Sequence, residues 1–184
     1  MKIGLVRHFK VNHPFPDKIF LSKSEVIKWF AEYDKTENLQ YKNVDLNNID
    51  WIRCYSSTMI RAVSTANHIY HGEIVKITEL KELDVIHRLT DRIKLPFMLW
   101  GLIIRMKSFP SNNDTDKFRN EIIAFVDKIT SNDKIDTLIV SHWFVMRVIR
   151  QELIKRGFVG DNIKSNEYGT LYVFEETDSK TTNR

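Results

Sequence analysis

The run from Lys2 to Val6 is short and apolar and stops abruptly at Arg7-His8. A second run, Thr137-Leu138-Ile139-Val140-Ser141, stops in the same way at His142. Runs this short, apolar on both faces, read as buried parallel strands. Two such strands that each deliver a histidine at the carboxyl end limit what the chain can fold into. In open α/β sheets ligands bind in the crevice beyond those ends.

The rest of the chain alternates strand and helix patterns. Val11 to Phe20 contains Asn12, Pro14 and Pro16 and reads as a loop. Ser22 or Ser24 is placed to cap a helix to about Tyr33, with Val26, Ile27 and Phe30 on one face. Asp50 to Tyr55 reads as a second strand. Ser57 is then expected to cap a helix through about Tyr70, with Ile60, Val63, Ala66 and Ile69 as its apolar stripe. Glu73 to Thr78 reads as a third strand. Asp114 to Thr130 is an amphipathic helix pattern, Trp143 to Lys155 another, and Gly169 to Phe174 a last strand. This order predicts one domain, 1–174, with a three-layer α/β/α sandwich around a mostly parallel sheet. Glu175 to Arg184 is polar and reads as a frayed tail.

Leu83 to Pro110 interrupts the alternation and reads as a small helical cap insertion. Pro96 and Pro110 bracket an apolar helix rich in aromatics. Its longest apolar stretch, Leu95 to Ile104, falls well short of the roughly 20 residues that span a bilayer. Lys94, Arg105 and Lys107 flank it, which keeps peripheral membrane contact open, but a buried or cap helix fits better. The N-terminal run is too short for a signal peptide and is followed by Arg7, His8 and Lys10. A cytoplasmic location is expected. The single cysteine, Cys54, excludes an intramolecular disulfide and fits a reducing compartment. It sits in the apolar run Trp51 to Tyr55, so its expected role is a buried small hydrophobe.

The net charge of +4 favours anionic partners. The basic residues are dispersed and no zinc-finger or RNA-binding signature is present, so nucleic acid is not expected. A small phosphorylated substrate needs only local positive charge. Arg7 at a strand tip and Arg61 near a helix N-terminus supply it, because guanidinium groups bind phosphate oxygens with paired hydrogen bonds. The helix N-terminus itself attracts anions. His8 is placed to act as a nucleophile through an unprotonated ring nitrogen. His142 can donate to a phosphoryl oxygen. A carboxyl just after the third strand can protonate a leaving oxygen and then activate water. Spacing does not separate Glu82 from Glu79 or Asp84 in that role.

These segments together resemble the histidine phosphatase superfamily, also called phosphoglycerate-mutase-like. Its Arg-His-Gly motif is matched by Leu5-Val6-Arg7-His8 and its Ser-Ser-Pro-x-x-Arg-Ala segment by Ser56 to Ala62. Its Leu-x-Glu segment is matched by Leu80-Lys81-Glu82 and its Val-Ser-His-Gly motif by Val140-Ser141-His142. The four occur in family order. The resemblance implies that His8 becomes phosphohistidine and that Arg7, Arg61 and His142 bind the phosphoryl group. It implies Glu82 as the acid/base, and neither metal nor cofactor.

Two positions depart from the pattern. Phe9 and Trp143 stand where the family has glycine, and both are expected to put bulk beside the pocket. His68 and His71 are three apart on a predicted helix but lack the third and fourth ligands of a metal site, so they read as a solvated face. Phe97, Trp100 and Phe109 of the insertion are expected to overhang the crevice, with Arg88, Arg92, Lys94 and Arg105 available for a second anionic group; the alternative is that the apolar helix only packs on the core or at a dimer contact. The function expected is phosphomonoester hydrolysis through phosphohistidine on a small phosphorylated metabolite. The alternatives are a phosphoglycerate-mutase-type phosphotransferase and a non-catalytic phosphate-binding module.

Overall fold

Alternation along each strand decides the layering. Ile3, Leu5, Tyr55 and Ile139 join one core cluster, while Val6, Cys54, Leu138 and Val140 join another. A strand sends successive side chains to opposite faces, so two clusters mean a sheet covered on both sides. The structure is a computed structural model and describes residues 1–82, 93–107, 113–131 and 134–177.

The described elements begin with β1 (Lys2–Arg7), two short strands β2 (Lys10–Val11) and β3 (Phe20–Leu21), and helix α1 (Lys23–Lys35). Next come β4 (Leu39–Gln40), β5 (Arg53–Ser57), α2 (Ile60–Ile69), β6 (Ile74–Ile77) and a 3₁₀ turn over Thr78–Leu80. Beyond these lie β7 (Leu95–Pro96), α3 (Phe97–Lys107) and α4 (Asn113–Ser131). The chain continues with β8 (Thr137–Ser141), α5 (Trp143–Lys155), β9 (Phe158–Gly160) and β10 (Leu171–Glu176).

Six strands form the central sheet in the order β6-β5-β8-β1-β10-β9. The first four are mutually parallel, and β10 runs antiparallel to both β1 and β9. Phe118, Ile122, Phe125 and Val126 of α4 and Val145, Met146 and Ile149 of α5 cover one face. Ala62, Ala66 and Ile69 of α2 cover the other, with Phe9 and Trp51. The expected three-layer α/β architecture is therefore the observed one. A third cluster lies apart from these two. It joins Leu21, Val26 and Trp100, with Phe30, Leu95 and Phe97 packed against it, so α3 rests on α1 and β3.

Several boundaries differ from expectation for physical reasons. The second strand runs over Arg53–Ser57 rather than Asp50 to Tyr55. Trp51 is apolar because its ring packs into the core over Gly4, where an added Cβ would lie 2.7 Å from the indole, and not because it pairs in the sheet. Ser57 does not cap α2. It ends β5, and the N-cap position is Met59, which makes no side-chain cap bond. Of the two serines before α1, Ser22 is the cap. Its hydroxyl accepts from the Glu25 amide at 3.3 Å while the Glu25 carboxylate accepts from the Ser22 amide at 2.9 Å, a capping box. The last strand covers Leu171–Glu176, so Glu175 and Glu176 pair in the sheet rather than fraying, and residues 178–184 lie outside the described residues. Strand β9 has no alternating signal in its three residues and was not anticipated. His71 lies beyond the end of α2, so it shares no helix face with the exposed His68. Cys54 is fully buried, as expected, and burial pushes its thiol up to about 12.

Candidate functional site

Register brings the two histidines together. In the parallel β1–β8 pair, Arg7 lies opposite Ser141. The His8 amide continues that ladder by donating to the Ser141 carbonyl at 3.0 Å. The next residues along, His8 and His142, therefore stand side by side at the sheet tip, with ring centroids 5.1 Å apart. On the other side of β8, β5 pairs Ser56 with Val140, which carries Ser57 up to His142. The Ser57 Oγ to His142 Nε2 distance is 2.9 Å. After β6 the 3₁₀ turn is tied down by the Ser141 hydroxyl donating to the Leu80 carbonyl at 2.8 Å. That anchor sets Glu82 at the same rim.

His8 is oriented by its own neighbour. Its Nδ1 lies 2.7 Å from the Phe9 carbonyl oxygen, which can only accept, so Nδ1 carries the proton. The Phe9 amide donates to Thr65 Oγ1 at 2.8 Å, and the Thr65 hydroxyl donates to the Arg61 carbonyl at 2.7 Å. The carbonyl that holds His8 is thus fastened to α2. The Phe9 ring does not line the site. It is buried in the sheet-α2 core, 5.4 Å from the rings of Tyr41 and His68. The expectation of added bulk at the pocket therefore fails for Phe9, because the side chain after a strand-tip histidine points to the opposite face. Trp143 is half-buried at the first position of α5, where it packs against the core cluster of that helix.

Two arginines bracket the histidines. Arg7 Nη1 donates to the Ser165 carbonyl at 2.5 Å, Nη2 donates to the Tyr168 hydroxyl at 2.8 Å, and the guanidinium lies 3.6 Å from the Tyr168 ring centroid. Arg61 is buried near the start of α2. It donates to Asp34 Oδ1 at 2.7 Å and to Glu82 Oε2 at 3.1 Å, beside the Tyr33 ring. Glu82 Oε2 is also 3.7 Å from His142 Nδ1. Asp34 and Glu82 are 44% and 46% exposed, so solvent and any incoming anion compete for these contacts. Three buried nitrogens, Arg7 Nε, Arg61 Nε and His142 Nδ1, have no hydrogen-bond partner among the described residues. A buried donor left unsatisfied costs about 1–3 kcal/mol. Unpartnered nitrogens on both arginines and on His142 suit an anion with several oxygens.

Burial pushes both histidines well below the ordinary imidazole value, and the Arg61 charge pushes in the same direction. For His8 the Phe9 carbonyl opposes this only partly. Both rings are therefore neutral at pH 7. A neutral His8 protonated on Nδ1 offers a lone pair on Nε2.

The structure thus brings together all five residues singled out in the sequence: Arg7, His8, Arg61, Glu82 and His142. Among the alternative carboxylates, Glu79 is exposed on the 3₁₀ turn and Asp84 lies outside the described residues. Sequence reasoning missed Tyr168, which holds Arg7 and lies 5.6 Å from the His8 ring. It missed Asp34 and Tyr33 at Arg61. These three come from the end of α1 and from the loop before β10, where no periodicity marks them. The only local signal is Gly169. Its φ of +54° is a conformation that favours glycine, and its amide donates to the Arg7 carbonyl at 2.9 Å. Trp100 does not overhang the crevice. It is buried, and its indole donates to the Leu21 carbonyl at 2.8 Å. Phe97 packs on Trp29. Phe109, Arg88 and Arg92 lie outside the described residues, as does the side chain of Arg105.

A sheet whose parallel strand tips pair two histidines between two arginines is matched by a family model, histidine phosphatase superfamily (branch 1), over residues 40–182. The chain belongs to that superfamily. The matched span contains Arg61, Glu82 and His142, while Arg7 and His8 precede it. A similar solved structure is the phosphoserine phosphatase from Entamoeba histolytica in complex with 3-phosphoglyceric acid. It is 18% identical with a TM-score of 0.47, covering 84% of this chain and 80% of that one. No curated protein matches the chain. No helix among the described residues is long and apolar enough to cross a membrane.

Proposed function

We propose that the chain hydrolyses phosphomonoesters of small metabolites through a phosphohistidine formed on His8, without a metal. One observation carries this reading: a buried, neutral His8 whose Nδ1–H is held by the Phe9 carbonyl, leaving Nε2 free between Arg7, Arg61 and His142. Superfamily membership supports phosphatase or phosphotransferase chemistry as a class. The two guanidinium groups supply the positive charge that a divalent ion would otherwise bring.

In the first step Nε2 of His8 attacks phosphorus, the P–N bond forms and the P–O ester bond breaks. The phosphoryl oxygens take the unpartnered donors of Arg7, Arg61 and His142. Ser57 completes the His142 arrangement: with the neutral ring protonated on Nδ1, its hydroxyl, 2.9 Å from Nε2, is the donor of that pair, and Nδ1–H is left for a phosphoryl oxygen. In competing for Arg61, the phosphoryl group frees the half-exposed Glu82 carboxylate to take a proton from solvent, and the resulting carboxylic acid gives it to the leaving oxygen. In the second step Glu82 takes that proton back from a water. The water oxygen attacks phosphorus, the P–N bond breaks, and inorganic phosphate leaves with His8 restored.

Rapid quench with a labelled phosphomonoester, followed by peptide mapping, tests this reading. Acid-labile phosphate is expected on His8, and His8→Ala is expected to lose both label and turnover. Label elsewhere with His8→Ala fully active overturns it. A phosphoglycerate interconversion assay on the same protein separates hydrolysis from mutase activity.

A further inference from the structure

A cleft of about 310 Å³ runs alongside the candidate site, between α5 and loop 161–170. Trp143, Arg147 and Arg150 line it from the helix, and Asn162, Ile163 and Ser165 from the loop. No lining side chain is acidic and two are guanidinium groups. The cleft adjoins the strand-tip site. Trp143 directly follows His142, and the Ser165 carbonyl is the one that accepts from Arg7 Nη1.

The basic residues are held in place. The Arg147 guanidinium lies 5.0 Å from the Trp143 ring, a cation–π contact that suits the tilt of helical side chains toward the N-terminus. Arg150 Nε donates to the Asp161 carbonyl at 3.1 Å, which ties its side chain across to the loop. A ligand in the cleft meets two ordered guanidinium groups beside the loop whose Ser165 carbonyl holds Arg7.

We propose that this cleft is a second anion subsite, selecting phosphomonoesters whose leaving group carries a carboxylate or a second phosphate. The inference rests on the phosphatase reading and extends it to substrate class. Ordered guanidiniums suit either anion through charge-assisted, often bidentate, hydrogen bonds.

Matched substrates test it on the full chain. Glycerol 3-phosphate against 3-phosphoglycerate reads the carboxylate, and fructose 6-phosphate against fructose 1,6-bisphosphate reads the second phosphate. Wild-type kcat/KM is expected to favour the doubly anionic member of at least one pair, and the pair that responds identifies the anion. Arg147→Ala and Arg150→Gln are each expected to cut that preference about tenfold or more, mainly through KM. Hydrolysis of p-nitrophenyl phosphate and of the singly anionic partners is expected to stay unchanged, and circular dichroism checks that both variants fold. The absence of preference in wild type, or equal losses on all substrates, overturns the subsite. Absence of any turnover overturns the phosphatase reading instead. In that case calorimetric titration of His8→Ala with the same compounds still decides the subsite. Tighter binding of the doubly anionic member, lost on adding Arg147→Ala, supports it, and equal binding of both members overturns it.

Discussion

A buried imidazole attacks phosphorus only when one nitrogen is bare and the other is held. His8 meets both conditions through a single backbone carbonyl, that of Phe9. Glu82 plays a different part, because its position depends on Arg61, 3.1 Å away, and on the anchored turn behind it. General acid catalysis contributes typically 10²–10⁴-fold and matters most for poor leaving groups. Glu82→Gln is therefore expected to lower turnover of alkyl phosphates by about 10²-fold or more while largely sparing p-nitrophenyl phosphate. Parallel kcat measurements on both substrates check this, and equal losses would make Glu82 a positioning partner of Arg61 only. The residue types and their order along the chain announced Arg7, His8, Arg61 and His142, while only the family resemblance separated Glu82 from Glu79 and Asp84. Tyr168 and Asp34 were illegible because each acts through one long-range contact, and a single tyrosine or aspartate in a loop carries no pattern.

Among the elements, the excursion from Leu83 to Pro110 left two readings open, a cap over the crevice and a helix packed on the core, and Trp100 takes the second. Helix α3 exists where the two prolines predicted it, yet Trp100 faces Leu21 and Val26 instead of the crevice. It supplies the core of the α1–α3 unit and satisfies its indole N–H on the Leu21 carbonyl. Trp100→Ala is expected to destabilise the fold by about 3–5 kcal/mol, the usual cost of emptying a buried aromatic site. Turnover per folded molecule should fall alike on every substrate. A urea melt beside a substrate panel checks this, and a changed ranking of substrates at unchanged stability would restore the cap role. An apolar composition between two prolines predicted a helix but could not show what its aromatics pack against.

At the scale of the whole molecule, two neutral histidines sit inside the fold. Their values lie well below 6.5 in the folded state because burial, and then Arg61, disfavour the imidazolium. In the unfolded chain both titrate near 6.5. Above about pH 7 neither state binds these protons, and stability does not depend on them. Below 6.5 the unfolded chain takes up protons that the folded one refuses, so stability falls as pH drops. The slope reaches at most about 1.4 kcal/mol per pH unit for each histidine. Urea midpoints at pH 7.5, 6.5 and 5.5 check this. Wild type is expected to weaken between the last two, and His142→Gln to weaken less. A flat wild-type profile would mean that the rings are not buried in neutral form.

The local pattern of the chain determined its layers and the order of its site residues. Apolar runs of period two and stripes near period 3.6 identify buried strands and covering helices wherever burial is the dominant local force. The ends of those runs named the histidines. Tertiary structure decided what pattern does not encode. The Arg7–Ser141 register placed His8 beside His142, and the three-residue β9 formed because β10 offered it an edge. Ser57 became a partner of His142 instead of a helix cap. Phe9 turned into the core because α2 lies over that face of the sheet. Each of these outcomes depends on residues far apart in the chain meeting in space, and a local sequence signal cannot report such a meeting.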